Sequence, residues 1–259
     1  MKTMDNLLID KVKKDLRTLL LKDMAESLET GLQKAIDQKQ GHLQFLSDML
    51  DMQVSKRRER SLQRKIEKAF FPRRMNFENF DWGFQPGLNV EHLKNLKELN
   101  FVRNKNPLMI LGGSGCGKTH IATSLGIKAC EAGFKVRFYK LQEILNLLYA
   151  SLADDSTDEV LNKLSKMDML ILDNVNYIRT KPEFPSLFLD LVSACQDRVC
   201  LITTTNLSIE EWGPALGNPS VINAVVDRLF HRAEILNITP AKSYRTYGPQ
   251  APNIPSNAE

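Results

Sequence analysis

Eight residues constrain this chain more than any others: Gly112-Gly113-Ser114-Gly115-Cys116-Gly117-Lys118-Thr119. They read G-x-x-x-x-G-K-T and follow the apolar run Leu108-Met109-Ile110-Leu111, and Ile121 to Cys130 beyond them has a helical pattern. A strand, a glycine loop and a helix N-terminus in that order form the context a phosphate-binding P-loop requires. The glycines let backbone N–H groups turn inward around a triphosphate, and the helix N-terminus adds positive potential. Lys118 can then reach the β- and γ-phosphates, and the Thr119 hydroxyl can hold Mg²⁺. Four of the chain's 13 glycines fall within these positions, which sets the loop apart from a chance turn.

At 259 residues the chain suits one medium domain and a smaller one. Hydrophobic residues at 42% and charged residues at 25% are ordinary globular values. The apolar runs are strand-sized, so neither a transmembrane helix nor a membrane partner is expected. Met1-Lys2-Thr3-Met4-Asp5 carries an acid early and lacks a signal-peptide core, so a cytoplasmic location is expected. Cys116, Cys130, Cys195 and Cys200 lack zinc-ligand spacing and read as small buried hydrophobes.

Residues 5 to about 70 hold almost no proline or glycine. Leu8, Val12, Leu16, Leu19 and Leu20 recur at helical spacing, as do Leu43, Leu46 and Leu50. The pattern predicts three or four amphipathic helices, broken at Gly31 and Gly41, forming a small domain with a marginal core. From Lys56 to Arg74 the charge becomes one-sided: Lys56, Arg57, Arg58, Arg60, Arg64, Lys65, Lys68, Arg73 and Arg74 face only Glu59 and Glu67. Arg57, Arg60, Arg64 and Lys68 share one helical face. Such a run is either a solvated face or a contact for the backbone of double-stranded DNA, and the dominance of arginine suits phosphate.

Pro72 is expected to end that helix. Phe77 to Phe84 is aromatic and irregular, and either seals the base of the second domain or supplies a ring to stack on adenine. Leu88 to Phe101 reads as a helix. Beyond the P-loop, strands at 135–139, 169–173 and 199–204 alternate with helices at 141–153 and 187–195, which predicts an α/β domain with a parallel sheet. Ligand chemistry then belongs at the strand C-termini. The proline-rich tail past Pro240 is expected to be disordered.

Asp173 closes an apolar strand roughly fifty residues after the P-loop, where a Walker B carboxylate would share the Mg²⁺ held by Thr119. Asn206 follows a third strand and could hydrogen-bond the γ-phosphate or the attacking water. Arg228 and Arg232 fall on a short predicted helix, and in oligomeric ATPases an arginine such as Arg228 can reach a neighbour's γ-phosphate. Arg245 could act on the nucleotide of its own subunit. Without an N-K-x-D-like guanine-reading motif, ATP is favoured over GTP.

These features together resemble the IstB family, the AAA+ ATPase helpers of insertion sequences, which is close to the DnaC-like helicase loaders. The resemblance runs from about Leu16 to Arg245. It rests on Gly112 to His120, on Gly133-Phe134-Lys135-Val136-Arg137-Phe138, Thr205-Asn206-Leu207, Asp227-Arg228-Leu229 and Ser243-Tyr244-Arg245. Leu43-Gln44-Phe45-Leu46 and the basic run ending at Phe71-Pro72 fit the same pattern. It implies a helical domain over 1–75, an AAA+ domain over 76–245 and a disordered tail over 246–259. It also implies ATP-dependent homo-oligomerisation on DNA, with a transposase as client. One departure matters: where the family pattern has a water-activating glutamate after the Walker B aspartate, this chain has Asn174. The binding residues are kept and the hydrolytic one is not, so an ATP-holding scaffold and a helicase loader stand as alternatives to a transposition helper.

Overall fold

The computed structural model describes residues 4–85, 88–176, 181–238 and 243–247. The chain divides into two compact units at Arg64/Lys65.

The first unit is helical. It holds α1 (Met4–Thr18), α2 (Lys22–Asp37) and most of α3 (His42–Ala69). Gly31 does not break a helix but lies inside α2, where a Cβ would stand 2.7 Å from the Met49 sulfur. The glycine lets α2 and α3 approach closely, and the breaks fall at residues 19–21 and 38–41 instead. The core is Met24, Leu28 and Met49, lined by Ile9, Leu16, Leu21, Leu32, Phe45 and Met52. Most of the leucines expected to build it do not: Leu8, Leu19, Leu20, Leu43, Leu46 and Leu50 are exposed, Leu43 by 83%. Helical spacing identifies a face but not which of two apolar faces packs inward.

A buried acid reinforces this small core. Asp23, 5% exposed, accepts from Arg60 Nη1 at 3.0 Å and from Gln53 Nε2 at 2.9 Å, and also pairs with Arg60 Nη2. Gln53 Oε1 in turn accepts from the Met24 N–H at 3.1 Å. Burial pushes the carboxyl upward, but the hydrogen bond and charge of Arg60 outweigh it and hold Asp23 below its ordinary value.

In the second unit, Ala69 ends α3 and Phe70 turns the chain with φ 58°. Pro72 follows just past the turn, where its missing N–H costs no helical hydrogen bond. The predicted helix over 88–101 is two, α4 (Val90–Lys97) and α5 (Asn100–Arg103), separated by Leu99 in a left-handed conformation. There follow β1 (Leu108–Leu111), α6 (Lys118–Glu131), β2 (Val136–Lys140), α7 (Leu141–Ser151), α8 (Thr157–Leu164), β3 (Met169–Asp173), α9 (Phe184–Cys195) and β4 (Cys200–Thr205). Then come α10 (Trp212–Leu216), α11 (Pro219–Phe230), β5 (Glu234–Asn237) and α12 (Tyr244–Tyr247). Sequence reading missed α8, α10, β5 and α12, the last within the stretch past Pro240 expected to be disordered, and residues 248–259 of that tail lie outside the described residues. β5 has only four residues and lies at a sheet edge, which leaves no two-sided apolar run to detect. Arg232 is not on the predicted helix but just beyond α11, at φ 58°.

The five strands are parallel in the order β2-β3-β4-β1-β5. Helices cover both faces, which is why β3 and β4 are buried along their whole length. On one face, Leu170 and Leu172 pack with Ile144, Phe188, Leu191 and Val225 from α7, α9 and α11. On the other, α6 approaches Ile171 through Gly126, and Phe71 meets Phe138 edge-on at 6.4 Å. Lys65 Nζ donates to the Gly133 carbonyl and Arg137 Nη1 to the Lys68 carbonyl, both at 2.6 Å, fixing the end of α3 to this unit. All four cysteines are buried, and desolvation pushes the Cys195 thiol up to about 12.

Because the folded Asp23 carboxyl is depressed, its contribution is complete above the ordinary aspartate value of about 3.9 and is lost as pH falls through the lower folded value. Asp23→Asn is therefore expected to melt below the unsubstituted protein at pH 7. The gap should close as the pH drops below about 4. A gap that persists unchanged in acid would refute the ion-pair account.

Candidate functional site

Three neighbouring strands, β3, β4 and β1, end side by side and carry the site. Asp173, the last residue of β3, lines a cleft of about 710 Å³ together with Ser114 to His120, Lys140, Asn174, Asn176, Asn206 and Tyr244. The P-loop leaves β1 at Gly112, whose N–H donates to the Thr205 carbonyl at 3.3 Å. Gly117 caps α6 at φ 98°, and a Cβ there would stand 2.8 Å from the Phe80 ring, so both conformation and space require glycine. Lys118 Nζ donates to the Gly112 and Gly113 carbonyls at 2.8 and 2.7 Å, which curls the ammonium over the loop. Its charge is positioned for phosphate oxygens without reaching across the cleft.

Asp173 is the hub. Its Oδ1 accepts from Thr119 Oγ1 at 2.9 Å and from Thr204 Oγ1 at 2.6 Å. The hydroxyl and carboxylate predicted to share a metal are therefore adjacent. They are hard oxygen donors, the chemistry Mg²⁺ prefers. No cluster of three or more histidine, cysteine, aspartate or glutamate side chains occurs among the described residues.

Asn174 follows at φ 66°, and its N–H donates to Thr204 Oγ1 at 2.9 Å. Its side-chain oxygen accepts from Asn176 Nδ2 at 2.7 Å, and Asn176 Oδ1 accepts from the Asn206 N–H at 3.1 Å. Asn174 and Asn206, separated by 31 intervening residues in sequence, thus meet through Asn176. Among the described residues the carboxylates lining the cleft are Asp173 and Asp81. Asp81 accepts from the Phe84 N–H at 3.2 Å. Asp168 lies at the opposite end of β3, bound to the Lys135 N–H and Lys105. Glu211 caps Ser208.

The far end of the cleft is lined by Pro72, Arg73, Met75, Asn79, Phe80 and Gln85. Of the aromatics considered for adenine, Phe80 reaches the cleft wall, packed on Trp82 at 4.8 Å and edge-on to His120 at 5.2 Å. Trp82 instead stacks on Phe77 beneath Lys97. His120 Nε2 lies 2.8 Å from the Asn76 carbonyl and so anchors this wall to α6.

The remaining candidates fall elsewhere. Arg228 Nη1 donates to the Ala224 carbonyl at 3.0 Å, and the residue borders a small pocket with Lys105, Pro107, Val199 and His231. Those neighbours mark the N-terminal ends of the strands, opposite the P-loop. The Arg245 side chain lies outside the described residues, but its neighbour Tyr244 borders the cleft and its N–H donates to the Gly115 carbonyl at 3.0 Å. Of the basic run, Arg60 is bound to Asp23, Lys65 to Gly133, and Arg73 lines the cleft. Lys56, Arg57, Arg58, Arg64, Lys68 and Arg74 are exposed. Thr204 and Asn176 escape sequence reasoning, although Asn174-Val175-Asn176 at a strand end is the signal that points to them.

Among the described residues no helix is long and apolar enough to cross a membrane. In solved structures the chain resembles AMPPCP-bound DnaA from Aquifex aeolicus, with TM-score 0.54 and 21% identity over 68% of this chain and 53% of that one. It also resembles DnaI, with TM-score 0.53 and 17% identity over 65% and 95%. These likenesses show the fold alone, a parallel α/β sheet carrying a P-loop. A Pseudomonas aeruginosa protein named for insertion sequence IS21 and for ATP binding is 31% identical over 89% of this chain and 86% of its own. A second, from Bacillus thuringiensis subsp. berliner and named for IS232, is 29% identical over 89% and 92%. The family model described as IstB-like ATP binding protein matches residues 14–249, and the chain belongs to that family.

Proposed function

We propose that this protein is an ATP-dependent helper of DNA transposition, which self-assembles on double-stranded DNA and recruits or stimulates a transposase. The observation that carries the reading is the combination of a fully assembled binding half with an amide where hydrolysis needs a carboxylate. Lys118, Thr119, Asp173 and Thr204 converge on one cleft, and Asn174 stands at its edge. Relatives named for insertion sequences point to transposition as the process served.

In this reading Lys118 and the inward N–H groups of the P-loop hold the β- and γ-phosphates, and Thr119 and Asp173 hold Mg²⁺. A Mg²⁺ held there would supply positive charge against the phosphates. Asn206 contacts the terminal phosphate, and Arg228, too far from its own P-loop, acts on a neighbouring subunit. The exposed arginines of α3 neutralise DNA phosphates without reading sequence. Asparagine can hydrogen-bond a water but cannot take its proton, so the ATP-loaded assembly is long-lived.

Lys118→Ala is expected to weaken ATP binding at least about tenfold, the scale of a charged hydrogen bond, while the protein stays folded. Arg228→Ala should keep ATP binding by single subunits and lose ATP-dependent assembly. Mixing the two variants should restore activity at junctions where an intact P-loop meets an intact arginine. No recovery in demonstrably mixed assemblies would remove the role across subunits.

For DNA, replacing Arg57, Arg58 and Arg64 with alanine should flatten the plot of log affinity against log salt. The change should be about 0.9 for each phosphate no longer neutralised, and equal on unrelated sequences. Arg60, committed to Asp23, should contribute little of that slope. An unchanged slope in the triple variant would move the DNA surface elsewhere.

Asn174→Glu is expected to raise single-turnover hydrolysis with saturating DNA by about 10²-fold or more, the value of a positioned general base. A modest loss of stability should accompany it, because asparagine tolerates the left-handed backbone here better than glutamate. Brisk hydrolysis by the unsubstituted protein, with no gain from glutamate, would contradict the long-lived ATP state.

A further inference from the structure

The asparagine chain at the cleft edge fixes which end of the Asn174 amide faces the nucleotide. Its starting point is unambiguous: the Asn206 backbone N–H can only donate, and it meets the side-chain oxygen of Asn176 at 3.1 Å. That oxygen also lies 3.4 Å from the Thr205 hydroxyl. Asn176 must therefore present its NH₂ to the other side, where it meets Asn174 Oδ1 at 2.7 Å. An amide nitrogen only donates, so the Asn174 atom facing it must be the oxygen. The assignment passes from a backbone donor through two side chains and leaves no freedom to flip either amide.

The consequence falls on the atom left over. Among the described residues Asn174 Nδ2 has no partner, and Asn174 is exposed and lines the cleft that holds Lys118, Thr119 and Asp173. Its backbone is fixed as well, through its N–H on Thr204 and its left-handed φ of 66°. The cleft therefore receives a donor from this position, while the oxygen that could accept a hydrogen bond from water is engaged by Asn176.

We infer that Asn176 is a positioning residue that holds Asn174 as a hydrogen-bond donor for the terminal phosphate of the bound nucleotide. The Walker B turn then senses that phosphate instead of activating water. The inference rests on the ATP-binding reading above and adds a role for each amide. An anionic phosphate oxygen accepts from an NH₂ and is repelled by a carboxylate, so this arrangement favours a nucleoside triphosphate over the diphosphate. Through Asn176, the same contact reaches the backbone of Asn206 and the end of β4.

The test compares ATP and ADP affinities of the full-length protein in Mg²⁺ with those of Asn176→Asp, Asn176→Ala and Asn174→Asp. Asn176→Asp still accepts from the Asn206 N–H but cannot donate to Asn174, which frees that amide to turn. Its preference for ATP over ADP should fall several-fold, with ADP affinity retained, and Asn176→Ala should behave alike. Asn174→Asp keeps its bond to Asn176 but aims a carboxylate at the phosphate, so its preference should fall by about tenfold or more. An unchanged ATP/ADP ratio in Asn174→Asp and Asn176→Asp would overturn the inference. So would a parallel loss of both nucleotides in all the variants, which would make the chain a structural tie of the cleft. Failure of the unsubstituted protein to bind either nucleotide is a separate result, and it would remove the ATP reading itself.

Discussion

One carboxylate oxygen holds the site together. Asp173 Oδ1 accepts from Thr119, the first turn of α6, and from Thr204, near the end of β4. These bonds join the P-loop helix, the Walker B strand and the strand that leads to Asn206. The arrangement follows from strand order: β4 lies between β3 and β1, so their C-termini cannot separate without breaking the sheet. A buried carboxylate with hydroxyl partners is also polar enough to bind a cation and rigid enough to place it. Thr204 accepts in turn from the Asn174 N–H, so the same oxygen network orders the turn after the strand.

Much of this was legible in the sequence because the motifs are short and local. The glycine loop, the apolar strand ending in Asp173 and the alternation of strands and helices each announce themselves within about ten residues. What stayed hidden depends on packing between distant segments. Nothing near Gly31 states that Met49 will lie against it, so the glycine reads as a break. Most of the leucines that spacing picks out face outward, while Met24, Leu28 and Met49 form the core. Asp23 and Arg60, 37 residues apart, read as surface charges until the helices bring them together. Asn176 belongs to the same class, since its partner Asn206 arrives from another strand.

The basic run illustrates how structure divides a charge count into roles. Nine positive residues between Lys56 and Arg74 suggest one surface. Arg60 is instead the counter-charge of a buried acid, Lys65 donates to a loop carbonyl, and Arg73 lines the cleft at the strand ends. Arginine performs its tasks for one reason: its planar group donates in several directions and stays charged when partly buried. The exposed remainder, Lys56, Arg57, Arg58, Arg64, Lys68 and Arg74, is a smaller set than the count suggests.

The positions of Asn174 and Arg228 bear on each other. Arg228 lies with residues that precede the strands, whereas the P-loop follows β1. A four-residue strand at about 3.3 Å per residue separates those levels by roughly 13 Å, before the loops are counted. Within one subunit the arginine therefore cannot share a phosphate with Lys118. If it acts at all on nucleotide, a neighbour must supply the P-loop, and the terminal phosphate then lies between two chains. A donor amide at residue 174 suits that position. It adds an attraction to the phosphate from one side while an arginine adds another, and neither removes the proton that hydrolysis needs removed. Contacts that hold the bound triphosphate and its transition state equally raise affinity without raising turnover.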